Sequence, residues 1–429
     1  MRDTKGALTV PQSSFFNRLF NGNRIVMALS FARLGDAVGN SILIVVIPLY
    51  VAKLPSLWLP FPEPVRVGIL ISLYGLVAAL FQPVFGAISD RIPYRKNLIL
   101  VGLVIMGVAT FSFIFTTRYA DLIILRVVQG IGVAITIASS MALLATATQK
   151  ATRGGSMGIY STMRMVGFAM GPLLGGYLLD HYGFNLAFIA GTVFILLGLG
   201  SVLIWVNEPE EDHQVEKRGG FRLFDRNILT AGIIGAGLAT FVMAIDFSMI
   251  AALENEFNQR LNQAAFGFGI AFSAMMFSRL LFQVPLGRLS DRWGRKPLII
   301  AGLILMVPST ALLGYVGSTF QLTSVRAFQG LASAAIAAPA FALAADLSRV
   351  GSEGRQMSIV TMGFALGIAI GPLMAGIFAV HAFTTPFLIG AVLSVIAAWV
   401  VFQYVPETVT GDRRTSGLES SGSTSAEGD

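Results

Sequence analysis

The sequence predicts an all-α membrane protein, twelve transmembrane helices arranged as two pseudo-symmetric six-helix bundles. Three observations predict it. The chain is 55% hydrophobic and only 12% charged, with a mean hydropathy of +0.73, where a soluble domain carries about a quarter charged residues. Its apolar residues gather into twelve runs of about 20, the length that crosses ~30 Å of hydrocarbon at ~1.5 Å per residue. The chain also repeats itself. Arg126, Gln129 and Gly130 return as Arg326, Gln329 and Gly330, and Gly171, Pro172 and Gly176 return as Gly371, Pro372 and Gly376. Parallel repeats in a membrane protein put a binding site between the halves.

Taken in order, residues 1–24 are a polar, basic segment without the apolar core of a signal peptide. They end in an apolar and basic stretch (Phe15, Phe16, Arg18, Leu19, Phe20, Arg24) suited to a membrane interface. The first bundle, 25–206, holds runs at 25–51, 66–89, 97–115, 121–146, 154–179 and 184–206. Residues 207–227 are charged and read as a linker, and Arg222-Leu223-Phe224 inside it echoes Arg18-Leu19-Phe20. The second bundle, 228–405, holds runs at 228–253, 264–288, 297–316, 321–345, 356–380 and 384–404. Residues 406–429 are rich in Ser, Gly and Thr and read as a disordered tail. Many of the 46 glycines fall inside the runs, where small residues let membrane helices approach closely.

Charge gives the orientation. Of 30 Lys and Arg, 21 fall in the termini, the linker and the even-numbered connections between runs, four on the opposite face, and five inside runs. That bias places both termini in the cytoplasm of a multi-pass protein of the cell membrane. The basic charge then serves orientation and contact with membrane lipids, not nucleic acid. There is no cysteine, and the three histidines (His181, His213, His381) lie in loops. No His-based triad, metal site, cofactor site or phosphate-binding glycine loop is legible, so the chain does not read as an enzyme, and uphill work would draw on an ion gradient.

Two motifs carry a family resemblance. Gly287, Asp291, Arg292, Gly294, Arg295 and Lys296 stand between the eighth and ninth runs, and Asp346 ends the tenth, placed to pair with Arg288 or Arg292. In the first half Gly86, Asp90 and Arg91 remain, but Pro93 and Tyr94 stand where Gly and Arg are expected, and Thr146 replaces the aspartate. The fifth run carries Gly158, Gly167, Gly171, Pro172, Gly175 and Gly176, with Ser358 and Ala375 eroding its copy in the second half. This chain resembles the major facilitator superfamily, in particular its twelve-span drug/proton antiporters. The resemblance implies the major facilitator fold, alternating access, and gating by Gly86, Asp90, Arg91, Gly287, Asp291, Arg292 and Asp346.

Ionisable groups within the runs are candidate functional groups, since each costs several kcal/mol unless paired or hydrated. Asp36 lies near the midplane of the first run with Arg33 one turn away on the same face. Asp246 lies nearer the outer end of the seventh. Arg126 and Arg326 sit a turn or two inside the outer boundary, where snorkelling is the alternative. Arg164 and Arg279, in the fifth and eighth runs, fall by residue count in the cytoplasmic half. The resemblance agrees with proton coupling by Asp36 and Arg126, and burial adds Asp246 as a candidate. Arg33, Asp36, Arg126, Arg164, Arg279 and Arg326 are the candidates for lining a substrate cavity, Arg164 and Arg279 departing from the generic family pattern. Five arginines against two aspartates leave an excess of three positive charges. The reading is a monomeric, proton-coupled antiporter that exports an amphipathic small molecule, with an anionic or zwitterionic group suggested by that excess. An organic-anion symporter or exchanger, and a lipid or lysolipid transporter, are the alternatives.

Overall fold

A computed structural model describes residues 23–55, 61–89, 91–92, 94–207, 230–347 and 353–409. The interfacial stretch at 15–20, most of the linker, Asp90, Pro93 and residues 410–429 lie outside them. Among the described residues, eleven helices are long and apolar enough to cross a membrane. One is double length, Lys150–Trp205, and breaks at Gly183, whose φ of 82° suits a residue without a side chain. The twelve spans are therefore α1 (Arg24–Val51), α2 (Glu63–Ser89), α3 (Arg95–Ser112), α4 (Tyr119–Ala147), α5 (150–182), α6 (184–205), α7 (Ala231–Ser248), α8 (Ala265–Trp293), α9 (Arg295–Leu312), α10 (Thr319–Asp346), α11 (Glu353–Ala379) and α12 (Thr385–Tyr404). A short helix, Glu254–Leu261, joins α7 to α8.

Local chemistry fixes where α1 begins. The Asn23 side chain accepts from the backbone N–H groups of Ile25 (2.9 Å) and Val26 (3.3 Å), which have no partner within the helix. Its Nδ2 donates to the Ala147 carbonyl (2.7 Å), tying the start of α1 to the end of α4.

The glycines of α5 set how close α1 lies. A Cβ on Gly167 would stand 2.6 Å from Ala37 Cβ, and one on Gly171 would be 2.8 Å from the Val38 carbonyl and would collide with Ser41. Ser41 Oγ in turn donates to the Gly167 carbonyl (3.1 Å). The second half repeats the device: Gly367 and Gly371 of α11 close on Ala244, Ile245 and Ser248 of α7, and Ser248 Oγ donates to the Gly367 carbonyl (3.3 Å). Ser41 and Ser248 are thus equivalent, and the repeat interval between α1 and α7 is 207 residues.

The halves meet through α5 against α8 and α2 against α11. We call the face that carries the α2–α3 and α8–α9 connections the basic face, and its opposite the distal face. Contact is tight towards the distal face. Asp180 accepts from the N–H groups of Ala265 (3.1 Å) and Phe266 (2.8 Å), Asn255 donates to the Pro48 carbonyl (3.2 Å) and to Glu63, and Ser72 Oγ accepts from Leu373 N–H (3.1 Å). A Cβ on Gly176 would stand 2.7 Å from the Ala265 carbonyl. Towards the basic face the arrangement loosens, and Gly86, Gly154, Gly155 and Gly158 all look onto open space.

Gly171→Val is expected to force α5 off α1 and to cost on the order of 1–3 kcal/mol, as overpacking does. Gly158→Ala is expected to be near neutral, because its Cβ meets nothing. Thermal unfolding in detergent checks both.

Candidate functional site

The first half gathers charge around one tyrosine. Asp36, twelve residues into α1 and 2% exposed, accepts from Arg33 Nη1 and from Asn40 Nδ2 (2.7 Å). The i, i+3 and i, i+4 spacings put all three side chains on one face. Arg33 lies over the Tyr160 ring of α5 at 5.7 Å. In α4, Arg126 donates to Gln129 Oε1 (3.1 Å), and Gln129 Nε2 donates to Thr110 Oγ1 of α3 (2.8 Å). Arg126 lies 5.5 Å from the Tyr74 ring of α2 and 5.9 Å from Phe113. Tyr74 is within electrostatic reach of Asp36, Arg33, Arg126 and Arg164 together.

The second half repeats the Arg–Gln–Thr relay but adds a carboxyl. Arg326 donates to Gln329 Oε1 and to the Phe247 carbonyl (3.4 Å), and Gln329 Nε2 donates to Thr310 Oγ1 (3.1 Å) and to the Asp246 carbonyl (3.2 Å). The Asp246 carboxylate accepts from Ser394 Oγ of α12 (2.6 Å) and occupies space left by Gly390, where a Cβ would collide with it. Asp246 is fully buried inside the second half, among α7, α9 and α12. The structure does not bring it together with Asp36. Snorkelling is excluded for both relay arginines: Arg126 is 3% exposed and Arg326 is fully buried, its charge set against the Phe247 and Phe272 rings.

Arg164 of α5 and Arg279 of α8 stand on the two helices that meet across the seam. Arg164 lies over Phe168 at 5.4 Å, and Arg279 over Phe364 of α11 at 5.3 Å. α5 and α8 each run four or five residues further towards the basic face than their apolar runs. Both arginines therefore lie 14 residues from that end, at Lys150 and Trp293, near mid-helix.

At the basic face Arg295 is the hub. It bonds Asp291 (2.5 Å), Asp346 (3.1 Å) and Ser290 Oγ (2.6 Å). Asp346 therefore pairs with Arg295, not with Arg288 or Arg292, and Asp291 reaches Arg295 across the turn at Gly294 (φ 111°). The start of α9 is capped by Glu407, which accepts from the N–H groups of Arg295 (3.0 Å) and Lys296 (3.1 Å), so residues just past α12 belong to this loop and not to the tail. In the first half Arg95, and not Tyr94, takes the hub position. It donates to Thr146 Oγ1 (2.9 Å) and to the Ala142 and Ser89 carbonyls (both 3.3 Å). Gly287 makes no close helix contact here, since a Cβ would meet only Ala338 Cβ at 3.6 Å. Arg91 and Arg292 are exposed, and Asp90 is outside the described residues.

Sequence reading missed Tyr74, Tyr160, Asn40, Phe364, Arg95 and Glu407. For Arg95 a signal existed: Arg95-Lys96 and Arg295-Lys296 are 200 apart, like the other repeats, whereas the Gly86–Gly287 interval is 201. The first loop carries one extra residue between Gly86 and Arg95.

The family model described as Major Facilitator Superfamily matches residues 29–238 and 236–427. The chain is 28% identical over 324 residues to the synaptic vesicular amine transporter of Homo sapiens, covering 74% of this chain and 62% of that one. It is 26% identical over 323 residues to the multi-drug resistance efflux pump PmrA of Streptococcus pneumoniae, covering 73% and 80%. Among solved structures, an inward-facing bacterial homologue of the human lysosomal transporter Spinster superposes with a TM-score of 0.73 at 16% identity, covering 89% of this chain and 96% of that one. With both halves matched by the family model and the fold shared with solved transporters, this chain belongs to the major facilitator superfamily of multi-pass membrane transporters.

Proposed function

We propose that this transporter is a proton-coupled antiporter that exports an amphipathic small molecule across the cell membrane. The basic face is cytoplasmic by its excess of Lys and Arg, so the described conformation, sealed distally and loose at the basic face, is inward-facing. The observation that carries the reading is the Asp36 carboxylate, buried at the middle of α1 and held by Arg33 and Asn40. A carboxylate beside a guanidinium favours its charged form, and the same carboxylate deprived of that partner in an apolar site favours a proton. A rotamer change that lifts the Arg33 side chain off Asp36, driven by the helices that pack on α1, therefore switches Asp36 between binding arginine and binding a proton. Aromatic faces at Tyr74, Tyr160, Phe168 and Phe364 offer the apolar part of a substrate its contacts. The drug-efflux name of PmrA supports the export direction, as does the glycine pattern of α5, which sets the position of α1.

Asp36→Asn keeps the shape and the hydrogen bond to Asn40 but cannot carry a proton. In proteoliposomes loaded with a pH-sensitive dye, substrate-driven proton movement is expected to vanish, while detergent-extracted protein stays monodisperse. Proton movement at the wild-type rate would remove Asp36 from the mechanism.

The two gate hubs are unequal. Arg295→Gln leaves Asp291 and Asp346 beside each other without a cation, whereas Arg95→Gln strands only a hydroxyl and two carbonyls. Arg295→Gln is expected to slow turnover at least several-fold more than Arg95→Gln. Comparable rates for the two variants would show that the ion pairs do not set the gate.

A further inference from the structure

The charge that α1, α4, α5 and α8 carry in their interiors does not balance. Arg33, Arg126, Arg164 and Arg279 bring four positive charges, and Asp36 brings one negative. Arg33 is answered by Asp36, and Arg126 is bonded to Gln129. Arg164 and Arg279 are different. Among the described residues neither donates a hydrogen bond; each has only an aromatic face, Phe168 and Phe364. Arg279 is 7% exposed, and its Nε–H is shut from solvent with no acceptor. A guanidinium cannot relieve this by losing its proton. A ring face attracts the cation but leaves its N–H groups, which lie in the guanidinium plane, unused.

We propose that Arg164 and Arg279 form an anion subsite at the middle of the seam, one arginine from each half, that takes the carboxylate, sulfonate or phosphate group of an amphipathic ligand. The proposal rests on the transport reading above and supplies its substrate class. An oxyanion between the two forks accepts from both, in the bidentate manner guanidinium favours, and Phe168 and Phe364 hold the carbon skeleton beside it. Because the arginines belong to different halves, their repulsion grows as the halves close on the basic side. A bound anion converts that repulsion into a bridge, so the loaded transporter closes more readily than the empty one.

The test uses three dansyl amphiphiles with one ring and one chain, ending in a sulfonate, a carboxamide or a trimethylammonium. Binding to the purified full-length protein is followed by fluorescence at equilibrium, without a proton gradient, so the result does not depend on whether Asp36 couples protons. The sulfonate is expected to bind at least about 10-fold tighter than the trimethylammonium, the scale of one charge-assisted hydrogen bond. Arg164→Gln and Arg279→Gln should each lower sulfonate affinity about 10-fold and leave the carboxamide unchanged, with Arg→Lys intermediate. Short-chain phosphatidylglycerol and a water-soluble aryl sulfonate serve as competitors. Displacement by the lipid alone identifies a headgroup as the occupant, displacement by the aryl sulfonate identifies a soluble anion, and either supports the subsite. Equal wild-type binding of the three probes, or an anion preference that survives both Gln substitutions, overturns it. Should a Gln variant fail to fold, the wild-type ratio and the Lys variants decide.

Discussion

A charge inside a membrane-spanning bundle costs several kcal/mol unless something answers it, and five arginines and two aspartates of this chain lie in the interior of its spans, away from the helix ends. Their placement follows from how each is answered. Arg33 and Asp36 answer each other within one turn of α1. Arg126 and Arg326 use a glutamine one turn along, which is itself anchored on a threonine of the neighbouring helix. Asp246 relies on the Ser394 hydroxyl and on space that Gly390 leaves open. All five guanidiniums lie against aromatic rings. Each of these contacts fixes where a buried charge can sit, so the positions of these side chains constrain the helices that carry them.

The two halves share a frame and divide the chemistry. In the register set by Ser41 and Ser248, Asp36 corresponds to Met243, and Asp246 corresponds to Gly39. The first half carries a mid-helix carboxylate with a cationic partner; the second carries a secluded carboxyl without one. At the basic face the pattern inverts. Arg295 holds two carboxylates, and Arg95 holds only neutral oxygens. In the proposed cycle the first half handles the proton and the second half holds the charged latch, while the seam between them, with one arginine from each, meets the substrate.

The fold was legible because apolar run length, basic-loop alternation and the internal repeat all depend on sequence alone. The Arg33–Asp36 pairing was legible for the same reason, as helical spacing puts those residues on one face. What spacing along one helix cannot supply is which other helices approach. Tyr74 and Phe364 meet the arginines only through packing of α2 and α11, and Ser394 meets Asp246 only through α12. Arg95 was misread because one extra residue in the first loop shifted its alignment, and Glu407 because a cap on α9 comes from a segment more than 100 residues later in the chain.

The central claim is that Asp36 exchanges its arginine for a proton. Infrared difference spectroscopy of the purified transporter across a downward pH step reads this directly, without any choice of substrate. A protonated-carboxyl band that grows on acidification in the wild type, is missing in Asp36→Asn and persists in Asp246→Asn is the result the account requires. A spectrum that Asp36→Asn leaves unchanged would contradict it.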